Sequence, residues 1–201
     1  FSGVRGIRGN LENNRFQIRG EMGGYSFDAP ISVSLIGSDV VLPTLPRYLG
    51  AIPSAARKVY DRLRPEGRAR FAVDLSRPAA GAKLSVQGKV EVLDGRFQFD
   101  EFPYPLRQVT GTISFGPDPE GGDRVVMIGL RGYGAEGTLN ANKVVTVDGW
   151  ISPIDRGSAV QVRVRSEDAH LDPYLRAALP SDPRPLPPAP GGALAARLAY
   201  P

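Results

Sequence analysis

The 201-residue chain has 25 basic and 21 acidic side chains, a net charge of +4, and 41% hydrophobic residues, an ordinary globular balance. Its 24 glycines and 19 prolines favour turns over long helices, and the lack of cysteine removes disulfides and thiolate zinc sites. No apolar run approaches the about 18 residues of a membrane span, no charged-then-apolar leader begins the chain, and charges scattered without a basic run argue against a nucleic-acid surface.

In chain order, GVRGIRGNL (Gly3 to Leu11) is a glycine-punctuated stretch that predicts a turn. Ile31, Val33 and Leu35 then alternate with Ser32 and Ser34, the period of a half-buried strand. The rhythm breaks at 45–63, where Leu45, Leu49, Ile52, Ala56, Val59 and Leu63 recur every three or four residues. This predicts one or two amphipathic helices, with Pro53 in a first turn and Pro65 at the stop. Strand alternation resumes with Ala69, Phe71, Val73 and Leu75 against Arg68, Arg70 and Asp74. Leu84, Val86, Val90 and Val92 then oppose Ser85, Gln87, Lys89 and Glu91. Asp94-Gly95 within LDGRF (93–97) predicts a tight hairpin turn. Val109, Ile113 and Phe115 alternate with Thr110, Thr112 and Ser114, and Val160, Val162 and Val164 with Gln161, Arg163 and Arg165. LDPYLRAAL (171–179) predicts a short helix, and a Pro-rich stretch follows at 179–192.

Gly132, Gly134 and Gly137 spell G-x-G-x-x-G, but a phosphate loop needs a helix after its glycines. NANKVVTVDGWI, which follows, is rich in β-branched residues and has no helical stripe. In QGKV, Val90 stands where a magnesium-holding hydroxyl would be required. The glycines instead take part in an internal repeat. GVRG at Gly3 echoes GLRG at Gly129, GNL at Gly9 echoes GTL at Gly137, and SDVVL at Ser38 echoes EDAHL at Glu167, a period of about 125 to 129 residues. A chain that begins and ends within copies of such a unit is expected to be a segment of a longer protein. The expected parts are 1–42, the end of one unit; 43–65, a helical insert; 66–166, the sheet of the next; and 167–201, the helix and Pro-rich start of a further unit.

Candidates for catalysis are few. The single histidine, His170, has Ser166, Asp168 and Asp172 nearby in sequence, but a triad needs a nucleophile within hydrogen-bond reach and a metal site needs more ligands. Its equivalent in the first copy is Val41, so an exposed histidine at a strand-to-helix junction is expected. The acidic pairs Asp118/Glu120 and Glu167/Asp168 sit in turn-like contexts. The expectation is a protein that is not an enzyme and carries no cofactor or metal.

Three stretches carry a resemblance. YPLRQVTGTISFGPDPEGGDRVVMIGLRGYGAEGTL gives an aromatic-led strand, a VTGTI strand, a turn, and an apolar strand ending in LRG. LDPYLRAALP looks like the short helix that opens a unit, and LRPEGRARFAVDL like the Pro-x-Gly approach to its next strand. Together these resemble the AsmA-like and TamB-like bacterial envelope proteins. The Pro-rich 179–192 departs from that pattern, lacking the long helix of the first copy.

The resemblance implies a mainly β fold, a long curved antiparallel sheet forming a β-groove or half-open taco, with one or two short amphipathic helices between units. Its apolar face would shelter acyl chains between membranes. The groove candidates are Phe71, Val73, Leu84, Val86, Val90, Val92, Val109, Ile113, Phe115, Val160, Val162 and Val164. The implied partners are a phospholipid or other acyl-chain lipid, together with inner- and outer-membrane proteins and no nucleic acid. The implied location is the periplasm or cell envelope, with anchoring to the inner membrane by a segment outside this chain. The same alternation would also build a closed β-sandwich or barrel core; the repeat and the resemblance favour the open groove, because repeated units extend in one dimension. The alternative function is a structural or protein-binding β-module that aids outer-membrane protein assembly by offering a strand edge.

Overall fold

The alternating segments become strands, and each strand pairs with the next in sequence. The computed structural model describes residues 2–11, 14–42, 64–99, 102–154, 159–178 and 196–200, together with Arg57, Tyr60 and Asp61. Ten strands form one antiparallel sheet in chain order: β1 (Ser2–Leu11), β2 (Asn14–Met22), β3 (Ile31–Val41), β4 (Glu66–Arg77), β5 (Ser85–Phe99), β6 (Phe102–Pro117), β7 (Asp123–Tyr133), β8 (Val144–Ser152), β9 (Ala159–Ser166) and β10 (Ala196–Tyr200). Among the described residues β1 and β10 do not pair, so the sheet is not closed into a barrel. The expected parts 1–42 and 66–166 share this sheet, since β3 pairs with β4 along nearly its whole length.

Register places apolar residues in continuous rows across the sheet. One row runs Ile18, Leu35, Val73, Gly88, Phe115, Val125, Ile151 and Val160; the next runs Phe16, Gly37, Phe71, Val90, Ile113, Met127, Gly149 and Val162. Because side chains alternate between faces, these rows lie on one side, while Arg19, Arg70, Glu91 and Thr112 lie on the other. From β5 to β9 the side chains of the apolar rows are buried, apart from half-buried Val90, yet no second sheet covers them among the described residues. A single sheet that buries one face in this way must curl around it, making that face concave.

The means of curling is a line of irregularities. Register shifts occur beside Asp39 in β3, between Arg68 and Ala69 against β5, between Val92 and Gly95, between Arg107 and Thr110, and between Met127 and Leu130. Each falls next to the one on the adjacent strand, so the bulges form a fold line from β3 to β8. Bulges bend their strand and raise its twist, which is how curvature enters an antiparallel sheet. Side chains support the line: Arg68 donates Nε and Nη2 to Asp39 at 2.8 and 2.7 Å, and Asp148 accepts from the Gly129 amide at 2.7 Å.

Three sequence expectations are corrected by this line. Asp94-Gly95 is not a hairpin turn but a bulge inside β5, which continues to Phe99. Gly95 faces Gly67, whose φ of 108° and approach to the Asp94 carbonyl leave no room for a side chain. The aromatic-led and VTGTI strands are one strand, β6, bent at Gln108 with φ 51° rather than broken. Gly3 to Leu11 is not a turn but strand β1, with its own register shift between Val4 and Ile7. Its echo at Gly129 to Gly132 likewise lies within β7 at a shift, and only Gly137, with φ 76°, sits in a turn.

The predicted helix at 171–179 appears as α1 (Pro173–Ala178), and the predicted approach at Pro65 leads into β4. Most of the helical insert at 43–65 lies outside the described residues. Arg57, Tyr60 and Asp61 are helical, with Arg57 and Asp61 paired at 3.7 Å and the Arg64 amide donating to the Tyr60 carbonyl.

Gly37 shows how the rows are packed. It lies opposite Phe16 on one neighbour and Phe71 on the other, and the two rings meet over it with centroids 6.0 Å apart. A Cβ at Gly37 would stand 2.6 Å from Phe71 Cε1 and 2.8 Å from Val40 Cγ2. Replacing a strand glycine by alanine ordinarily gains about 0.5–1 kcal/mol, whereas overpacking costs about 1–3 kcal/mol, so the clash wins. Gly37→Ala is expected to lower the denaturant midpoint in the native background and to lower it less in a Phe71→Ala background, where the Val40 contact alone remains, a coupling that a double-mutant cycle reads directly.

Candidate functional site

The concave face is the candidate site, and its two halves differ. Of the twelve groove candidates, Val86, Val92, Val109, Ile113, Phe115, Val160 and Val162 are buried, all on β5 to β9. They form one cluster with Val125, Met127, Ile151 and Ala178 of α1. Phe71, Val73, Leu84, Val90 and Val164 are half-buried, and all of these but Phe71 pack against that cluster. The structure therefore brings all twelve to one face and places seven of them in a packed interior.

The apolar surface that reaches solvent lies at the other end, on β2 to β4. Phe16, Val33, Leu35, Phe71, Val73 and Leu75 are half-buried, and Ile18 is 41% exposed. These positions continue the rows of the closed half without interruption, so the face opens gradually rather than at an edge. Phe16 and Ile18 were not among the sequence candidates, though the signal existed: Phe16, Ile18, Gly20 and Met22 alternate with Arg15, Gln17, Arg19 and Glu21. What such a face can do chemically is remove hydrocarbon from water, worth about 0.8 kcal/mol per buried methylene.

At the α1 end the face is closed by a polar clasp. Asn140, 1% exposed, donates Nδ2 to the His170 carbonyl at 2.7 Å and to Asp172 Oδ2 at 2.8 Å, while its Oδ1 accepts from the His170 amide at 2.8 Å. Asp172 Oδ1 accepts from the Leu175 amide at 2.7 Å and so caps α1. The clasp uses the main chain of His170, whose side chain is exposed. Ser166 donates its hydroxyl to the Val144 carbonyl, so Ser166 and Asp172, two of the His170 neighbours, are engaged in structure. Among the described residues no group of three potential metal ligands comes together, and no helix is long and apolar enough to cross a membrane.

The turn at 118–122 joins β6 to β7 and contains the first acidic pair. Asp118 accepts from the Ser152 hydroxyl at 2.6 Å and from the Glu120 amide at 2.9 Å. The Ser152 bond above all, then the Glu120 amide, holds its carboxyl below the ordinary aspartate range, with Arg124 adding to the effect. A carboxyl whose folded pKa is depressed contributes stability above its unfolded pKa and loses it as pH falls through the folded value. Ser152→Ala is therefore expected to raise the Asp118 pKa in an NMR titration and to move acid unfolding to higher pH.

Comparison with known proteins gives no relative: no family model, curated protein or solved structure matches the chain.

Proposed function

We propose that this chain is a non-enzymatic lipid-handling segment that shelters acyl chains against the open half of its concave face, in the manner of the AsmA-like envelope proteins it resembles. The observation that carries this reading is the apolar surface of β2 to β4, where Phe16, Ile18, Leu35 and Val73 lie in uninterrupted rows without being sealed. An ordinary core strand would bury such residues; on β3 and β4 the sheet's curl seals Val40 and Ala69, beside the fold line, and leaves these rows partly open. Each half-exposed side chain retains apolar area that an acyl chain would cover.

The bound species would be a phospholipid or fatty acid, held without a directional site, and the expected setting is the bacterial envelope. Leu35→Asp tests the reading. It lies on the open half, so the protein is expected to fold while co-purifying phospholipid, measured by mass spectrometry, and uptake of a fluorescent fatty acid both fall about tenfold, the effect of about 1.4 kcal/mol. Unchanged uptake in folded Leu35→Asp protein, or no uptake by the native chain, would sink the reading. Capture of protein rather than lipid by a photoreactive residue at Leu35 would favour the strand-edge module instead.

A further inference from the structure

The connection between β2 and β3, residues 23–30, holds two aromatic side chains in full contact with water: Tyr25 at 105% and Phe27 at 102% relative exposure. Among the described residues nothing covers either ring. The loop beneath them is nonetheless built. Its main chain closes on itself through Gly23 N to the Pro30 carbonyl at 2.8 Å and Ala29 N to the Ser26 carbonyl at 3.1 Å. Arg77 Nη1 reaches from β4 to the carbonyls of Phe27 and Ala29, and the Gly81 amide donates to the Asp28 carbonyl at 3.0 Å. The last bond ties the loop to the β4–β5 connection, where Pro78, Ala79 and Ala80 are also exposed.

We propose that this end of the sheet inserts into the interface of a lipid bilayer, with Tyr25 and Phe27 as the inserted side chains. Three observations favour a bilayer over a protein partner. Protein hot spots sit inside a broad complementary surface, whereas these rings stand on a short loop whose other residues are Gly, Ser, Ala, Pro and one charged side chain, Asp28. Entering the interface leaves main-chain polar groups short of water, and the loop has already paired several of its own. Aromatic rings with a polar loop behind them match the headgroup level of a membrane, where Tyr and Trp collect. The concave rows also run out to this end through Met22, 45% exposed, and half-buried Ile31.

Charge decides the kind of surface. Lys83 and Arg77 are offset by Asp28 and Glu21, so no basic patch draws the loop to anionic lipid. Insertion rests on the rings alone and does not require the acyl-chain reading above.

The test is flotation of the full 201-residue chain with phosphatidylcholine vesicles. The native chain is expected to float with them, with little gain from added phosphatidylglycerol, and Tyr25→Ser/Phe27→Ser to lose about tenfold in partitioning while keeping the native circular dichroism. The indole introduced by Phe27→Trp is expected to shift its emission to shorter wavelength on vesicles and to be quenched by brominated acyl chains, measured above the Trp150 background. Leu35→Asp is expected to float as the native chain does whatever its fatty-acid uptake, which separates the two proposals. Failure of the native chain to float, equal flotation of the double serine variant, or an unquenched indole would each overturn insertion.

Discussion

Val109→Asp is expected to leave the chain without a cooperative unfolding transition. Val109 has no exposed area, sits on the bend of β6, and lies opposite Gly95 on one neighbour; a Cβ at Gly132 would meet its Cγ2 at 2.7 Å. Removing the valine forfeits about 1.5–3 kcal/mol of burial, and an unpaired carboxylate in its place costs several kcal/mol more before it protonates or drags in water. Together these approach the about 5–15 kcal/mol that holds a domain folded. Ile128→Asp on the neighbouring strand, at 52% exposed, is expected to change the melt by less than about 1 kcal/mol. Thermal and urea melts followed by circular dichroism compare the two, and a native-like melt for Val109→Asp would show that the closed half does not hold the sheet together. The contrast with Leu35→Asp is the sharper one. The same chemical change on the same face is expected to unfold the protein at β6 and to spare it at β3.

Asn140→Ala is expected to cost about 2–4 kcal/mol, the effect of removing both partners of the His170 peptide and stranding one oxygen of a buried carboxylate. Asp172 is only 4% exposed, so water replaces the lost amide poorly. The loss should be local as well as global. α1 is six residues long, too short to persist without its cap and its contact through Ala178 with the sheet. Hydrogen exchange at Leu175 to Ala178 is expected to accelerate in Asn140→Ala. His170→Ala should leave both the urea midpoint and this exchange nearly unchanged, since the clasp uses only the His170 main chain. Equal effects from the two substitutions would mean that the imidazole, not the asparagine, secures the helix.

Much of the sheet was legible because alternation is a local signal. β3, β4, β5 and β9 follow from their own side chains, and the β-branched VVTV announces β8. What alternation cannot distinguish is a break that ends a strand from one that bends it. Asp94-Gly95 has the chemistry of a hairpin turn, and only pairing with Gly67 and Val109 on both sides makes it a bulge. The same ambiguity turned the glycines of β1 into an expected turn. Charged residues beside Phe16 and Ile18 hid β2 from a reading that followed the repeat, although its alternation is regular. The face of the candidate site was legible from β4 to β9 but not on β2, and its division into closed and open halves not at all. That division depends on where the bulges of separate strands fall beside one another, a long-range relation that no single stretch expresses. Nor does sequence indicate which loop aromatics will be covered, since Tyr25 and Phe27 are unremarkable until their surroundings are known.

The order of the strands has a kinetic meaning. Every pairing joins neighbours in the chain, so apart from the longer β3–β4 and β9–β10 connections each new hairpin needs only a short loop to close. Such a sheet can zip up from its first hairpin as the polypeptide leaves the ribosome, the growing rim always being the strand most recently synthesised.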